Sequence, residues 1–292
     1  MPSSPRHLIA RAAPALFVLL WSTGFIGAKY GMPYAAPLTF LAIRMAFAVA
    51  ILAVIVAIWR PLWPNPAQTF HSVVTGILVH GCYLGGVFIA IAQGVPAGIS
   101  ALLPGLQPVL MATLASRWLG ERVNIWQWGG LALGLVGIFL VLNDRAIFGA
   151  GSLFGWTASF VSLFGITLGT LYQKRHGGAI DWRSGNLVQY AAALVFFASG
   201  ALMFEDTHVE WTLPFVLALG HLVIVLSILT VALMYWLIRR SAATQVASLF
   251  YLVPATTAVL AWLLFDEKLN ALAITGIVLC AGAVLIVNYR KS

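Results

Sequence analysis

Long runs of apolar residues fill this 292-residue chain, and short stretches with charged residues, proline or glycine separate one run from the next. An α-helix needs about 20 apolar residues to cross a bilayer core of roughly 30 Å, and most of the runs reach that length. The pattern predicts an all-α membrane protein with ten transmembrane helices. The predicted helices are Ala12–Tyr30, Ala36–Trp59, Phe70–Gln93, Ala97–Leu119, Ile125–Asn143, Ser152–Gln173, Ser184–Phe204, Thr212–Ile238, Ala243–Phe265 and Asn270–Asn288.

The composition excludes a water-soluble fold. Hydrophobic residues make up 61% of the chain and charged residues 8%, whereas about a quarter of the residues in soluble domains are charged. The net charge of +8 comes from basic residues scattered between apolar runs, not from the patch that a nucleic-acid binder needs. Cys82 and Cys280 lie in different apolar runs and are interpreted as small packing residues, so neither a metal site nor a cofactor is predicted.

The distribution of basic residues predicts how the helices are oriented. If the helix ends alternate across the bilayer, one side carries twelve of the sixteen basic residues, while the loops of the other side carry Arg145 and Lys268. Cytoplasmic loops are enriched in lysine and arginine, so both termini are predicted to lie in the cytoplasm of a multi-pass inner (plasma) membrane protein. The twelve residues are Arg6, Arg11, Arg60, Arg117, Arg122, Lys174, Arg175, Arg183, Arg239, Arg240, Arg290 and Lys291.

The chain contains an internal repeat with a shift of 146 positions. The aligned pairs include Pro108 with Pro254, Glu121 with Glu267 and Arg122 with Lys268. The shift divides the chain into two predicted five-helix repeats, residues 1–146 and 147–292, within one integrated membrane domain. Because each repeat crosses the membrane an odd number of times, corresponding helices run in opposite directions. Inverted repeats of this kind are typical of secondary transporters, whose substrate site lies between the halves near mid-membrane.

Prolines occupy matching positions in the fourth and ninth predicted helices. Pro108 and Pro254 each remove a backbone hydrogen bond and kink the helix. Pro104, followed by Gly105, weakens the fourth helix further. A static packing kink would explain any one of these prolines. Their matched positions favour hinges or cavity walls at Pro104, Pro108 and Pro254.

Four short motifs resemble those of the drug/metabolite transporter superfamily, specifically its ten-helix EamA type. They are Leu20-Trp21-Ser22-Thr23-Gly24-Phe25, Phe40-Leu41-Ala42-Ile43-Arg44-Met45, Leu119-Gly120-Glu121-Arg122 and Phe265-Asp266-Glu267-Lys268. The resemblance covers essentially the whole chain. It implies a secondary transporter that exports small metabolites, chiefly amino acids including aromatic or other apolar ones, by alternating access at a central cavity.

Ionisable residues inside the apolar runs are unfavourable in a membrane and are therefore the first candidates for a substrate site. These residues are Lys29, Arg44, His80 and His221. Lys29 shares a face of the first helix with Ser22, where a cation could meet a substrate carboxylate. His80 and Tyr83 project from one face of the third helix. A lone membrane histidine is often only an interhelical hydrogen-bond partner, and Arg44 is interpreted as a residue that pairs helices.

Further polar and aromatic side chains complete the predicted site. Gln107 cannot face lipid without losing the hydrogen bonds of its amide. Ser248 and Tyr251 form a stripe on the ninth helix. Trp156 and Tyr172 are further candidates, although aromatic residues near helix ends commonly form the interfacial belt. The predicted substrate-binding residues are His80, Tyr83, Gln107, Ser248, Tyr251, Lys29, Ser22, His221, Trp156 and Tyr172.

Two other classes of protein remain open, a membrane-embedded hydrolase and a non-transporting membrane sensor. A hydrolase would use His80 or His221 as a base and would need an activated nucleophile with an oxyanion turn. The chain has no Gly-x-Ser-x-Gly motif, and no catalytic residues are predicted. All eight acidic residues lie in predicted loops or at helix ends, so a proton relay would have to use histidine.

Small residues at helical spacing predict close packing between helices. Gly130-x-x-x-Gly134 and its repeat counterpart Gly276-x-x-x-Cys280 allow two backbones to approach each other. We interpret them as packing positions within the scaffold, with a dimer contact as the alternative. The expected partners are a small-molecule substrate and the lipid bilayer, without nucleic acid, and the expected state is a monomer or weak homodimer.

Overall fold

The computed structural model of the protein describes residues 5–95, 103–141, 151–265 and 271–288, and these residues form an array of helices. Outside the helices, an isolated bridge joins Ala35 to Val209. We number the helices α1 (Pro5–Gly31), α2 (Pro37–Trp59), α3 (Pro66–Ala92), α4 (Gln107–Trp118), α5 (Ile125–Val141), α6 (Leu153–His176), α7 (Trp182–Phe204), α8 (Leu213–Arg240), α9 (Ala243–Ser248, then Leu249–Tyr251 and Leu252–Phe265) and α10 (Ala271–Asn288). Where both ends are described, their bounds follow the predicted runs to within a few residues, except that α1 already begins at Pro5.

Seven helices in the described part of the chain are long and apolar enough to cross a membrane. They are α1, α2, α3, α6, α7, α8 and α10. α5 is apolar but shorter, and α4 and α9 are interrupted near their prolines. The protein is therefore an all-helical, multi-pass membrane protein. The seven helices confirm part of the predicted count of ten spans, and the full count stays a prediction.

The helices pack in pairs that join the two halves of the sequence. α2 packs on α7, α5 packs on α10, α3 packs on α6 and α7, and α1 packs on α8 and α9. The pairing of α5 with α10 depends on glycine, because a Cβ on Gly137 would lie 2.8 Å from Cys280 Sγ and 2.9 Å from the Gly276 carbonyl oxygen. Gly134 likewise leaves room for the ring of Tyr251. The small residues thus act as packing positions within the chain.

The interruptions in α4 and α9 lie beside the matched prolines. Pro254 is buried near the start of the Leu252–Phe265 segment of α9, which follows a 3₁₀ turn at Leu249–Tyr251. Pro108 is the second residue of α4 and follows a turn at Leu106, and Pro104 lies in the short helical turn before it. A break in helix geometry thus occurs where the sequence predicts it, and the hinge role of these prolines stays a prediction.

α3 and α8 each contain a π-helical segment, Ile77–Leu84 and Leu222–Thr230. A shift of 146 positions places the first segment on residues 223–230, so the two segments correspond in the internal repeat. π turns are rare and occur frequently at functional sites. Two of them at matching repeat positions direct attention to the region between α3 and α8.

Local chemistry explains why the turn of α8 widens. Ser227 Oγ donates to the Leu222 carbonyl oxygen at 3.1 Å, and Thr230 Oγ1 donates to the Val225 carbonyl oxygen at 2.7 Å. Each hydroxyl donates to the carbonyl oxygen five residues earlier. In a regular α-helix that carbonyl would already accept the backbone N–H group four residues after it. In α3, glycines flank the π segment, and a Cβ on Gly76 would lie 2.4 Å from the carbonyl oxygen of Gln189 in α7. Close backbone contact therefore holds α3 in place at the start of its irregular segment.

Asp181 caps the start of α7, outside the membrane-crossing segment. Its Oδ1 atom accepts from the backbone N–H of Arg183 at 2.9 Å, and the Arg183 guanidinium donates to Oδ2 at 2.8 Å. The hydrogen bonds from Arg183 lower the pKa of the Asp181 carboxyl below its usual value. Because the pKa is lower in the folded state, this stabilisation is present above the unfolded pKa of about 3.9 and is lost as pH falls through the folded pKa.

An Asp181→Ala variant is expected to lose about 1 kcal/mol of unfolding free energy at neutral pH, the typical value of an N-cap. Thermal unfolding in detergent measures the difference. Asp181→Asn is the matched control, because its amide oxygen still caps the helix but does not titrate. An alanine variant as stable as the wild type at neutral pH would show that this cap contributes nothing.

Candidate functional site

A buried cavity lies between α1, α2, α3 and α8 and holds about 50 Å³. Helices α1 to α3 come from the first half of the sequence, and α8 comes from the second. The two π segments contribute to its wall, with His80 and Tyr83 on one side and Leu226 on the other. The full lining is Trp21, Gly24, Phe25, Ala28, Arg44, Val79, His80, Tyr83, Leu84, Val87, Phe88, Leu226 and Val231.

Arg44 brings a buried positive charge to the cavity wall. Its side chain is 5% exposed, and its Nε atom donates to Ser227 Oγ at 3.0 Å. The carbonyl of Ser227 in turn accepts a hydrogen bond from the Tyr190 hydroxyl. Within the described ranges, the ion pair recorded is that of Arg183 with Asp181, so Arg44 has no carboxylate partner there. A buried charge without a counter-ion destabilises the folded protein, so packing alone does not explain why an arginine occupies position 44.

His80 is the second polar group in the wall. It is 2% exposed, and its Nε2 atom is buried without a hydrogen-bond partner in the described structure. Its ring lies against that of Tyr190, with 4.5 Å between the ring centroids. Buried polar atoms are nearly always hydrogen-bonded, so we expect this nitrogen to bind a ligand or water when the neighbouring cavity opens.

Aromatic rings form the apolar part of the wall. Trp21 and Tyr83 stack with ring centroids 6.0 Å apart, and the Trp21 indole N–H donates to the Tyr83 hydroxyl at 3.2 Å. Trp21 also meets Phe250 of α9 edge-on at 5.2 Å, which connects the cavity wall to the second half of the chain. Phe25 and Phe88 complete the aromatic surface. The cavity therefore combines one cation, hydrogen-bonding groups and aromatic faces.

The structure brings together two of the ten predicted site residues, His80 and Tyr83, in this cavity. Ser22 lies beside it, fully buried, and its hydroxyl donates to the Val253 carbonyl oxygen at 3.3 Å, joining α1 to α9. His221 Nε2 lies 2.9 Å from Thr23 Oγ1 and does not line the cavity. Lys29 belongs to α1, but its side chain lies outside the described residues.

The other five predicted residues lie elsewhere. Gln107 Nε2 donates to Thr170 Oγ1 at 3.3 Å between α4 and α6, and its buried Oε1 atom has no described partner. The Tyr251 hydroxyl donates to the Leu131 carbonyl oxygen at 2.9 Å in the packing between α9 and α5. Ser248 accepts from Asn288 Nδ2 at 3.0 Å.

Two aromatic candidates lie near the ends of α6. Trp156 is half-buried and packs near Ala90 and Val95. The Tyr172 hydroxyl lies 2.6 Å from His71 Nδ1. Neither residue lines the cavity, and a role of these residues in substrate binding stays a prediction.

The sequence pattern favours a helix-pairing role for Arg44 and does not indicate Trp21 as a site residue. The contact with Ser227 does pair α2 with α8, but Arg44 also lines the cavity. The sequence does contain a signal for Trp21. It lies four residues before Phe25, so the two side chains share one helix face. For Arg44, the signal available in the sequence was the lack of any acidic residue within the apolar runs that could neutralise it.

These features define a multi-pass helical membrane protein with a largely apolar cavity inside its helix bundle, in which Arg44, His80 and Tyr83 supply the polar groups. The family model of the EamA-like transporter family matches residues 12–143 and again residues 153–289. The chain belongs to the EamA-like transporter family, within the drug/metabolite transporter superfamily. The family model matches the chain twice, which agrees with the internal repeat found in the sequence.

Relatives match over nearly their whole length. The chain is 26% identical to the uncharacterized transporter YvbV of Bacillus subtilis and 25% identical to the uncharacterized inner membrane transporter YedA of Escherichia coli, each over 95% of this chain and 90% of the relative. It is 24% identical to a probable amino-acid metabolite efflux pump of Escherichia coli, over 90% of this chain and 89% of the relative. A solved crystal structure shares the fold, with a TM-score of 0.77 at 18% identity over 94% of this chain and 95% of that chain.

Proposed function

We propose that this protein is a secondary transporter that exports small metabolites, amino acids and their amphipathic relatives, across the inner membrane. In this proposal ten helices form two inverted five-helix repeats, residues 1–146 and 147–292, with both termini in the cytoplasm. The cavity between α1, α2, α3 and α8 opens alternately to each side. The naming of one relative as an amino-acid metabolite efflux pump and of another as an inner membrane transporter supports it.

The observation that carries the proposal is the cavity with a buried, uncompensated charge in its wall. A helix bundle that served only as a scaffold would gain stability by replacing Arg44 and His80 with apolar side chains. A solute pathway instead needs polar groups in the membrane interior. His80 Nε2 has no partner among the described residues, a serine or cysteine included, so its geometry does not favour the hydrolase.

The volume of the cavity supports a conformational step. About 50 Å³ holds a water or two, whereas small-molecule sites usually occupy about 300–1,000 Å³. A metabolite therefore enters only when the surrounding helices move apart. The matching π segments of α3 and α8 lie in the wall of the cavity and are candidates for this movement, since their turns depart from the regular α-helical hydrogen-bond pattern.

Two carboxylates close the junction between the halves. Glu205, after α7, accepts from the backbone N–H groups of Leu38 and Thr39 at the start of α2, both at 2.8 Å. Glu121, after α4, accepts from the backbone N–H of Ala243 at the start of α9, at 2.7 Å. A negative charge at a helix N-terminus is stabilising. Each contact joins one half of the sequence to the other.

The two contacts lie on opposite faces of the membrane in this proposal. Glu205 precedes α8 and Ala243 follows it, so the contacts are separated by the 28-residue span Leu213–Arg240. Opening toward either face would release the carboxylate on that face and leave the other in place. The pair therefore has the arrangement of two gates.

Glu205→Gln and Glu121→Gln are expected to shift the access to the cavity in opposite directions. Losing the charge-assisted hydrogen bonds is worth about 1–3 kcal/mol, which corresponds to a roughly 5- to 150-fold change in the fraction open on that face. The measurement is labelling of an Ala28→Cys variant, without Cys82 and Cys280, by a membrane-impermeant thiol reagent added to either face. Each glutamate variant serves as the control for the other, and equal effects on both faces would contradict the gating role.

The function itself is tested with purified protein in sealed liposomes loaded with labelled amino acids. We expect efflux that requires the protein and that saturates with substrate. Vesicles that move none of the labelled compounds, while the protein hydrolyses an ester or peptide, would favour the enzyme instead.

A further inference from the structure

We infer that the cavity recognises the carboxylate of a monoanionic substrate, with Arg44 as its counter-charge, and prefers acids without an ammonium group to zwitterions and amines. This inference rests on the proposed transport function and narrows its substrate class. The expected substrates are small acids with an aromatic or branched apolar body, of the kind formed when an amino acid loses its amino group.

Charge is the first argument. Arg44 is the cation in the described lining, and that lining contains no aspartate or glutamate. The described acids Glu121 and Glu205 are bound to helix N-termini. An anionic substrate would therefore neutralise a buried charge. The ammonium of a zwitterion or amine would meet a guanidinium and no carboxylate.

Hydrogen-bonding capacity is the second argument. Ser227 occupies the Nε atom of Arg44, which leaves the two terminal amino groups of the guanidinium for a carboxylate. His80 Nε2 is buried without a partner in the same wall. The Tyr83 hydroxyl accepts from Trp21 and keeps its own proton to donate. When the cavity opens, three groups can donate to an anion: the Arg44 guanidinium, His80 Nε2 and the Tyr83 hydroxyl.

The shape of the wall is the third argument. Trp21, Phe25 and Phe88 face the cavity, together with aliphatic side chains of α3 and α8. Aromatic and aliphatic surface accommodates an apolar body, and the described lining has no carboxylate to pair with an ammonium group. The site therefore matches a molecule with one anionic end and one apolar end.

The test compares three probes that share a phenyl body: phenylpyruvate, phenylalanine and phenethylamine. Binding to the purified full-length protein is measured by calorimetry and by the shift in unfolding temperature. We expect phenylpyruvate to bind at least tenfold more tightly than phenylalanine and phenethylamine to bind most weakly. Arg44→Gln is expected to remove the preference, and Arg44→Lys, which keeps the charge, is expected to retain part of it.

Phenethylamine or phenylalanine binding as tightly as phenylpyruvate would overturn the inference. A preference that survives in a folded Arg44→Gln variant would overturn the role of Arg44. If Arg44→Gln does not fold, the probe order in the wild type still decides the substrate class. Efflux of amino acids without any preference for phenylpyruvate would contradict this inference but would still agree with the proposed transport function. Tight phenylpyruvate binding without transport of any labelled compound would support the inferred ligand class and contradict the proposed transport function.

Discussion

A Gly137→Leu variant is expected to lower the amount of folded protein several-fold. Gly137 lies where α5 and α10 touch, and a Cβ there would lie 2.8 Å from Cys280 Sγ and 2.9 Å from the backbone nitrogen of Cys280. The α10 backbone cannot rotate away as a flexible side chain could, so a leucine forces the helices apart. Overpacking of a well-packed core costs about 1–3 kcal/mol or more, a large fraction of the stability of a typical domain.

The measurement is the amount of monodisperse protein that detergent extracts from membranes. Gly129→Leu is the matched control, because it lies on the same helix and a Cβ there would meet no heavy atom within 4 Å. We expect the control to be extracted like the wild type. Wild-type yields of Gly137→Leu would show that the contact between α5 and α10 does not hold the fold together.

A His80→Leu variant is expected to remain folded but to lose at least nine-tenths of its transport. Leucine keeps much of the side-chain volume and removes the Nε2 atom that has no partner in the described structure. Loss of a hydrogen bond to a charged substrate group is worth about 1.5–3 kcal/mol, or roughly 10- to 150-fold in flux at low substrate concentration. Efflux from proteoliposomes and the unfolding temperature are measured on the same preparation.

Ser159→Ala provides the control for this prediction. Ser159 Oγ is also buried without a hydrogen-bond partner in the described part of the chain, but Ser159 does not line the cavity. We expect its transport to match the wild type. Wild-type flux in a folded His80→Leu variant would remove His80 from the pathway, and a comparable loss in Ser159→Ala would mean that the effect of His80→Leu is not specific to the cavity.

Much of the fold could be predicted because membrane helices leave strong local signals. Runs of about 20 apolar residues must satisfy their backbone groups internally, so they form helices wherever they occur. The helix breaks near Pro108 and Pro254 also follow from local chemistry, since proline lacks a backbone donor. The widened turns at Ile77–Leu84 and Leu222–Thr230 were not predicted. They depend on packing between helices and on hydroxyls that bond five residues back.

Which of the candidate residues meet in one cavity is harder to predict, because polarity alone does not tell which neighbour a side chain meets. Tyr251 and Ser248 are polar in an apolar helix, but α5 and α10 satisfy their hydrogen bonds. His80 was chosen for the same reason, and its nitrogen is left without a partner at a cavity. Arg44 was set aside as a pairing residue, although one side chain can both pair helices and face a cavity. These distinctions require the three-dimensional contacts.

Access to the cavity from both faces of the membrane is the most direct measurement of alternating access. An Ala28→Cys variant, without Cys82 and Cys280, is reconstituted in vesicles of either orientation and exposed to a membrane-impermeant thiol reagent. Ala28 is 3% exposed and lines the cavity. We expect labelling from both faces, with each rate changed by a transported substrate. Labelling from one face only, or from neither, would contradict a pathway that opens alternately between the two halves.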